Sequence, residues 1–139
     1  MHRFLVKTEP STYAWSDLVR DGGTVWDGVR NPEARNNLAA MAKGDLALVY
    51  HSGDEKAVVG VAKVTRAAFP DPKADDPKWL AIELAAVKPL PRAVSLAEIK
   101  AEARLAKIPL VTRGRLSVMA LDPKAFDAIV SLAKNEPAK

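Results

Sequence analysis

The middle of the chain carries three extended segments with only turns and loops between them, and this feature restricts the fold most. Residues 45–51 place apolar side chains on both faces, and residues 58–66 follow after a Ser-Gly-Asp-Glu turn, which predicts a β-hairpin. A loop at residues 69–77 holds three prolines, and residues 79–87 then alternate as a third strand. Strands that follow one another without a helical crossover pair antiparallel, so a regular βαβ fold is excluded.

Shorter segments surround these three strands. Residues 2–7 and 24–26 are predicted to be short strands, and residues 116–118 to add an edge strand. Gly60 is predicted to mark a bulge or a close approach of two segments. Helices are predicted at residues 15–20, from Asn31 to about Ala42, from the capping box at Ser95 to about Leu105, and after Asp122. The sequence therefore predicts an α+β fold, with a mainly antiparallel curved sheet or small barrel flanked by helices.

The length of 139 residues suits one domain, which we expect over residues 1–134 with a flexible tail at residues 135–139. The absence of cysteine excludes disulfides and thiolate metal sites. No apolar run approaches the roughly 20 residues of a membrane span, and residues 1–8 carry no signal-like stretch. We therefore expect a cytoplasmic, monomeric protein that does not bind membranes.

The formal net charge of +4 is compatible with a nucleic-acid partner but does not require one. The basic excess lies toward the C-terminus. Residues 103–121 contain no acid, and their cations are Arg104, Lys107, Arg113 and Arg115. A positive patch and an ordinary solvated face are both open at this stage.

Groups for nucleophilic catalysis or metal binding are scarce. The chain has no cysteine and two histidines, so a Ser-His-acid triad has to be built on His51. Ser52 is adjacent to His51 on a predicted strand, and adjacent strand residues point to opposite faces. The seven glycines form no phosphate-binding motif, and the acids of residues 71–76 lack the spacing of a calcium loop. We expect no cofactor and no metal.

Polar residues lie at the ends of two predicted strands, in Trp26-Asp27-Gly28-Val29-Arg30-Asn31 and in Tyr50-His51-Ser52. Tryptophan offers a flat face to a planar ring, asparagine a donor and an acceptor to a base edge, and arginine a charge to phosphate. Together these groups suit one extruded nucleotide. An architectural alternative stays open, in which Trp26 fills the core, Asn31 only caps its helix, and the arginines pair with nearby acids.

Several sequence motifs follow one another along the chain. They are Phe4-Leu5-Val6-Lys7-Thr8-Glu9-Pro10, Trp26-Asp27-Gly28-Val29-Arg30-Asn31, Ala34-Arg35-Asn36-Asn37-Leu38, Gly44-Asp45, Tyr50-His51-Ser52 and Arg115-Leu116-Ser117-Val118. Further matches are Val59-Gly60-Val61-Ala62, Phe69-Pro70-Asp71-Pro72 and Trp79. This ordered set covers residues 2–133, nearly the whole chain, and resembles the EVE domain family.

The resemblance implies a PUA-like fold, structurally akin to YTH domains, which hold a methylated adenine in an aromatic cage. It also implies a domain that reads modified bases, notably modified cytosine in DNA. The implied base pocket consists of Trp26, Asp27, Val29, Asn31, Tyr50, His51 and Ser52. The implied pocket rim and phosphate contacts are Lys7, Arg30, Arg35, Arg115 and Ser117. Trp79 suits either a second aromatic wall of the pocket or packing in the core.

The residues and the resemblance together predict a non-enzymatic reader of a modified nucleobase. Its target is 5-methyl- or 5-hydroxymethylcytosine in DNA, or a modified base in RNA. One alternative is a small-molecule or protein-interaction module that uses the same pocket. The other is a nucleotide-directed enzyme, with His51 as general base and Asp27 or Glu9 as its acidic partner.

Overall fold

The computed structural model describes residues 2–134, which form a six-stranded sheet with helices packed against it. In chain order the elements are β1 (Arg3–Thr8), α1 (Trp15–Asp21), β2 (Thr24–Trp26), α2 (Pro32–Ala39), β3 (Leu46–His51), β4 (Ala57–Pro70), β5 (Leu80–Ser95), α3 (Leu96–Ala101), α4 (Pro109–Thr112), β6 (Val118–Leu121) and α5 (Pro123–Ala133). The predicted α+β class is confirmed. The tail predicted at residues 135–139 lies outside the described residues.

The strands are hydrogen-bonded in the order β2-β5-β4-β3-β1-β6, with β2 and β6 at the edges. β3 and β4 form the predicted hairpin, and β4 pairs antiparallel with β5. β1 and β3 are parallel, because the chain returns through α1, β2 and α2 before β3 begins. The other neighbours, β1 with β6 and β2 with β5, are antiparallel. The mainly antiparallel curved sheet is confirmed, and the barrel alternative is wrong because the edges stay unpaired.

β4 and β5 are longer than predicted and curve the sheet. β4 extends to Pro70 and β5 begins at Leu80, so the loop predicted at residues 69–77 starts later. The pairing between these strands shifts register at four places, and such irregularities bend and twist strands. As a result α2 packs against β4, β5 and β6, although β5 and β6 lie near opposite edges.

The helices begin where their caps predict and end earlier than expected. Asn31 caps α2 by accepting a hydrogen bond from the Ala34 N–H at 3.0 Å. α2 ends at Ala39 rather than near residue 42, because the Asp45 carboxylate accepts the Ala42 N–H at 2.9 Å and closes a turn there. α3 likewise stops four residues early, and α4 was not predicted. None of the helices within residues 2–134 is long and apolar enough to cross a lipid bilayer.

Gly60 confirms both parts of its prediction. The β4–β5 register shifts between Val58 and Gly60, and the Trp15 ring lies against the Gly60 backbone. A Cβ atom at this position would lie 2.5 Å from Trp15 Cη2, well inside van der Waals contact. β4 therefore requires glycine at residue 60 because the indole occupies the space of a side chain.

We expect Gly60→Ala to lower the free energy of unfolding by about 1–3 kcal/mol, because the Trp15 ring has to move out of its packed position. The matched control is Gly114→Ala, where a Cβ meets no atom within 4 Å. Urea unfolding measures both variants, and the control should stay within about 0.5 kcal/mol of the wild type. Equal stability of Gly60→Ala and wild type would contradict this account of the contact.

Candidate functional site

A cavity of about 780 Å³, here called the main cavity, opens where β1 and β2 end. Its volume falls within the roughly 300–1,000 Å³ that ligand pockets occupy. The residues that line it are Lys7, Thr8, Thr12, Tyr13, Gly23, Thr24, Val25, Trp26, Asp27, Thr65, Lys73 and Glu83. Three residues of the predicted site, Lys7, Trp26 and Asp27, thus meet in one cavity. The other nine are not part of this lining.

Two aromatic rings form a corner of the main cavity. The rings of Tyr13 and Trp26 lie edge to face, with centroids 6.2 Å apart and planes at 88°. Trp26 is 8% exposed and belongs to the hydrophobic core, so the architectural alternative is correct for most of its surface. Burial and the adjacent Asp21 raise the pKa of Tyr13, and its hydroxyl donates to Asp21 Oδ2 at 2.8 Å. Both rings of the corner are therefore uncharged, and Asp21 holds the Tyr13 hydroxyl.

Charged and hydroxyl groups complete the lining. Asp27 Oδ2 lies 3.3 Å from Lys73 Nζ, and Glu83 lies 3.6 Å from Arg66. Four threonines also line the cavity, and the Thr8 hydroxyl donates to the Tyr13 carbonyl at 2.7 Å. The cavity therefore offers aromatic surface together with donors, acceptors and both signs of charge. A flat heterocycle with a polar edge fits these properties.

Lys7 connects the main cavity to the loop that precedes β6. Its Nζ donates to the Gly114 carbonyl at 2.9 Å and lies 5.7 Å from the centroid of the Tyr50 ring. Its backbone N–H donates to the Ser117 carbonyl at 2.9 Å. Partial burial lowers the pKa of Lys7 from its ordinary value. The predicted rim residues Lys7 and Ser117 are therefore neighbours, held together by the pairing at the end of β1.

A smaller cavity of about 310 Å³, here called the minor cavity, is lined by Asn31, Arg113, Gly114, Arg115 and Leu116. Arg113 is paired with Glu33, whose Oε2 lies 3.0 Å from its guanidinium. The Arg115 side chain is exposed and has no hydrogen bond or ion pair with any other residue in the range 2–134. This arrangement leaves Arg115 available to an anion, next to the Gly114 carbonyl that accepts the hydrogen bond from Lys7.

Asp71 is a buried acid that fixes the turn after Trp26, and its role was not predicted. Its side chain is fully buried and accepts from the Gly28 N–H at 2.8 Å and from Arg30 at 2.9 Å through Oδ2. Its Oδ1 accepts from the Lys73 N–H at 2.8 Å. Burial alone would raise the pKa of Asp71, but these hydrogen bonds outweigh it and hold the pKa below its ordinary value.

Trp79 lies outside the hydrophobic core and outside the main cavity. The side chains of Arg30, Arg35 and Lys78 lie 5.9, 5.8 and 5.0 Å from its ring centroid. Trp79 is half-buried, so it forms the base of a cationic surface that faces solvent. The predicted rim residues Arg30 and Arg35 meet here, whereas Val29 between the turn and α2 is buried in the core.

The structure places Tyr50, His51 and Ser52 beside β1 rather than on the main cavity. Tyr50 and His51 are buried, and the Ser52 N–H donates to the Thr8 carbonyl at 2.9 Å. His51 Nε2 accepts the Trp15 N–H at 2.9 Å, and its Nδ1 lies 2.8 Å from Glu55 Oε1. This pattern assigns the proton to Nδ1. Both ring nitrogens are occupied, so His51 anchors the start of α1 and has no free lone pair for a general base.

Sequence reasoning missed the other lining residues, above all Tyr13 and Lys73, and it also missed Asp71, which lies outside the lining and fixes the turn after Trp26. Asp71 lies in a Pro-Asp-Pro sequence, and a short acceptor between two prolines is a signal of a fixed turn. Tyr13 and Lys73 give no comparable signal, because their positions depend on how β1 and β2 are brought together. Among residues 2–134, no three His, Cys, Asp or Glu side chains are grouped closely enough to hold a metal ion.

Comparison with known proteins defines the class to which this fold and site belong. The sequence model described as the EVE domain matches residues 2–132. The chain belongs to the EVE domain family. Thymocyte nuclear protein 1 of Homo sapiens is 36% identical over 138 residues, an alignment that covers 83% of this chain and 61% of that protein. The chain thus spans about three fifths of the length of that curated relative.

Two solved structures have folds similar to that of this chain. Human THYN1 protein, solved in complex with 5-methylcytosine-containing DNA, is 32% identical and superposes with a TM-score of 0.92, covering 99% of this chain and 100% of that chain. The YTH domain of Zygosaccharomyces rouxii MRB1 protein is 15% identical, with a TM-score of 0.59 over 99% of this chain and 87% of that chain. The second likeness concerns the fold alone, and it confirms the expected structural similarity to YTH domains.

Proposed function

We propose that this protein reads a modified cytosine in DNA by binding the extruded base in the main cavity, without catalysing a reaction on it. The observation that carries the proposal is the main cavity itself, where the Tyr13–Trp26 corner lies next to the Asp27 carboxylate. The likeness to human THYN1 protein, solved with 5-methylcytosine-containing DNA, supports the same target. The proposal covers this domain and extends to no other part of the longer relatives.

The aromatic corner supplies the stacking energy. Two rings at 88° form a recess in which a planar base stacks on one ring and meets the edge of the other. Stacking of an extruded base on an aromatic side chain contributes about 1–3 kcal/mol. Because Trp26 packs against the core on its other side, the recess is already formed before a base enters it.

The cations around the main cavity suit the phosphates on either side of an extruded nucleotide. Lys7 and Lys73 lie in the lining, and Arg115 is exposed beside the Lys7 loop contact. Arg30 and Arg35 add positive charge on the Trp79 surface. The net charge of +4 is modest, so we expect weak binding to unmodified DNA and an affinity that depends on the base.

A reader is favoured over an enzyme by the two hydrogen bonds of His51. The Trp15 N–H occupies Nε2 and Glu55 occupies Nδ1, which removes the group that the enzyme hypothesis requires. A small-molecule module would use the main cavity alone. A DNA reader also needs the surrounding cations, and this difference separates the two in a binding assay.

The experiment that tests the proposal is a titration of the wild-type protein against matched duplexes at two salt concentrations. The duplexes carry one cytosine, 5-methylcytosine, 5-hydroxymethylcytosine or N6-methyladenine at the same position. We expect one of the modified cytosines to bind several-fold tighter than cytosine, with an affinity that falls as salt rises. Equal binding of all four duplexes, or no binding, would refute the proposal.

Arg115→Glu is expected to weaken binding to every duplex by a similar factor, because phosphate contacts carry no sequence information. The salt dependence should also flatten, with a slope lower by about one. Lys100→Glu is the matched control, since Lys100 is an exposed cation on α3 that lines neither the main cavity nor the minor cavity. A selective loss of the preference for modified cytosine in Arg115→Glu would contradict its role at the phosphate.

A further inference from the structure

A reader of 5-methylcytosine has to reject thymine, which carries the same methyl group on the same ring. The two bases differ at position 4, where cytosine has an amino donor and thymine a carbonyl acceptor, and in the protonation of N3. Stacking and contact with the methyl group cannot separate them. We infer that the Asp27 carboxylate makes this distinction by accepting a hydrogen bond from the cytosine 4-amino group. The inference rests on the proposed function and extends it to the selection of the base.

Asp27 lies where such a contact requires it. It follows Trp26 directly and lines the main cavity, and its side chain is 24% exposed. The backbone beyond it is fixed, because Gly28 has φ 77° and its N–H is held by the buried Asp71 at 2.8 Å. The carboxylate is therefore positioned beside the aromatic recess before any ligand enters.

One oxygen of the Asp27 carboxylate remains available. Lys73 Nζ lies 3.3 Å from Oδ2, and within the described part of the chain Oδ1 has no hydrogen-bond partner. A carboxylate oxygen accepts hydrogen bonds and donates none, so it pairs with the amine of cytosine and repels the O4 of thymine. Lys73 supports this arrangement, because it holds the carboxylate at the cavity wall from the side of Oδ2.

Glu83 is the other acid in the lining, and its position suits the role less well. In the β2–β5 pairing Glu83 lies opposite Val25, whereas Trp26 lies opposite Ile82. Since neighbouring strand residues alternate between faces, Glu83 shares the face of Val25 and not that of the Trp26 ring, whereas Asp27 lies past the end of β2, where this alternation no longer applies. Its carboxylate also lies 3.6 Å from Arg66. Glu83 is therefore the rival acid of the same cavity that the test has to separate from Asp27.

The test measures binding of wild type, Asp27→Asn and Glu83→Gln to duplexes with one variable base. The bases are cytosine, 5-methylcytosine, thymine and 5-methyl-2-pyrimidinone, which is 5-methylcytosine without the amino group. Each base is placed opposite an abasic site, so that no difference in pairing energy affects extrusion. We expect the wild type to bind 5-methylcytosine at least about fivefold more tightly than either thymine or the analogue.

Asp27→Asn should reduce the preference for 5-methylcytosine over thymine to less than about twofold, because an amide presents both a donor and an acceptor. Glu83→Gln is expected to change the affinities for 5-methylcytosine and for thymine by the same factor, because Glu83 does not share the face of the Trp26 ring. The inference is overturned if Asp27→Asn retains the preference, or if Glu83→Gln loses it equally. It is also overturned if the wild type binds 5-methyl-2-pyrimidinone as tightly as 5-methylcytosine, a result that depends on no variant being folded.

The two proposals fail in different ways. If the wild type prefers neither 5-methylcytosine nor 5-hydroxymethylcytosine to cytosine, the proposed function fails and the inference falls with it. If that preference is present but thymine binds with the same affinity as 5-methylcytosine, the proposed function stands and the role of Asp27 is refuted.

Discussion

Asp71→Ala is expected to lower the free energy of unfolding by about 3 kcal/mol, or the Tm by roughly 10 °C. The carboxylate is fully buried, and its removal leaves the N–H groups of Gly28 and Lys73 without their acceptor. The Arg30 guanidinium is 41% exposed and can return to water, so the two backbone donors account for most of the loss. Thermal unfolding followed by circular dichroism measures the effect.

The matched control for this variant is Asp75→Ala, an exposed acid in the same loop, which should leave the Tm within about 2 °C of the wild type.

The difference in stability between the wild type and Asp71→Ala should also depend on pH. The pKa of Asp71 is lower in the folded state, so its contribution is complete above the ordinary carboxyl pKa and is lost as pH falls through the lowered value. We expect a constant difference from pH 7 to 5 that shrinks below about pH 4. A difference that grows in acid would contradict this role.

Trp26→Leu is expected to remove the preference for modified cytosine and to weaken binding of the modified duplex by roughly 5- to 150-fold. The substitution removes the stacking surface of the recess while keeping an apolar side chain in the core. Leucine is preferable to alanine, because truncating a buried tryptophan to alanine costs about 3–5 kcal/mol and endangers the fold. The measurement is a titration with matched cytosine and 5-methylcytosine duplexes, after an unfolding curve has shown that the variant is folded.

Trp79→Leu is the control for the aromatic recess. Trp79 lies among Arg30, Arg35 and Lys78 and does not line the main cavity. Its loss should leave the ratio of 5-methylcytosine to cytosine affinity unchanged, even if both affinities fall. If Trp79→Leu abolishes that ratio and Trp26→Leu keeps it, the base is read at the Trp79 surface and the assignment of the main cavity is wrong.

Much of the fold could be predicted from local patterns. Alternation located β3, and the Asn31, Ser95 and Asp122 caps located the starts of α2, α3 and α5. The parallel pairing of β1 with β3 could not be predicted, because it depends on the path of the chain through α1, β2 and α2. The ends of β4 and β5 were missed for a related reason. Bulges let these strands continue through positions that resemble a loop in sequence.

The candidate site was predictable in part. Trp26 ends β2 and Asp27 follows it, so the rule that polar strand ends form a pocket mouth identified two lining residues, and the resemblance to the EVE domain family added Lys7 near the end of β1. The same rule selected His51, whose ring instead bonds to Trp15 and Glu55. A sequence pattern gives the end of a strand but not the face that remains open after α1 has packed.

Entry of a methylated base into the main cavity can be observed by mapping amide chemical shifts during titration with matched cytosine and 5-methylcytosine duplexes. The backbone amides of Thr12, Tyr13, Trp26 and Asp27 should shift with the 5-methylcytosine duplex and not with the cytosine duplex. Arg115 should shift with both, because it contacts phosphate. Identical shifts from the two duplexes, or methylation-dependent shifts confined to residues outside the main cavity, would contradict the proposed reader.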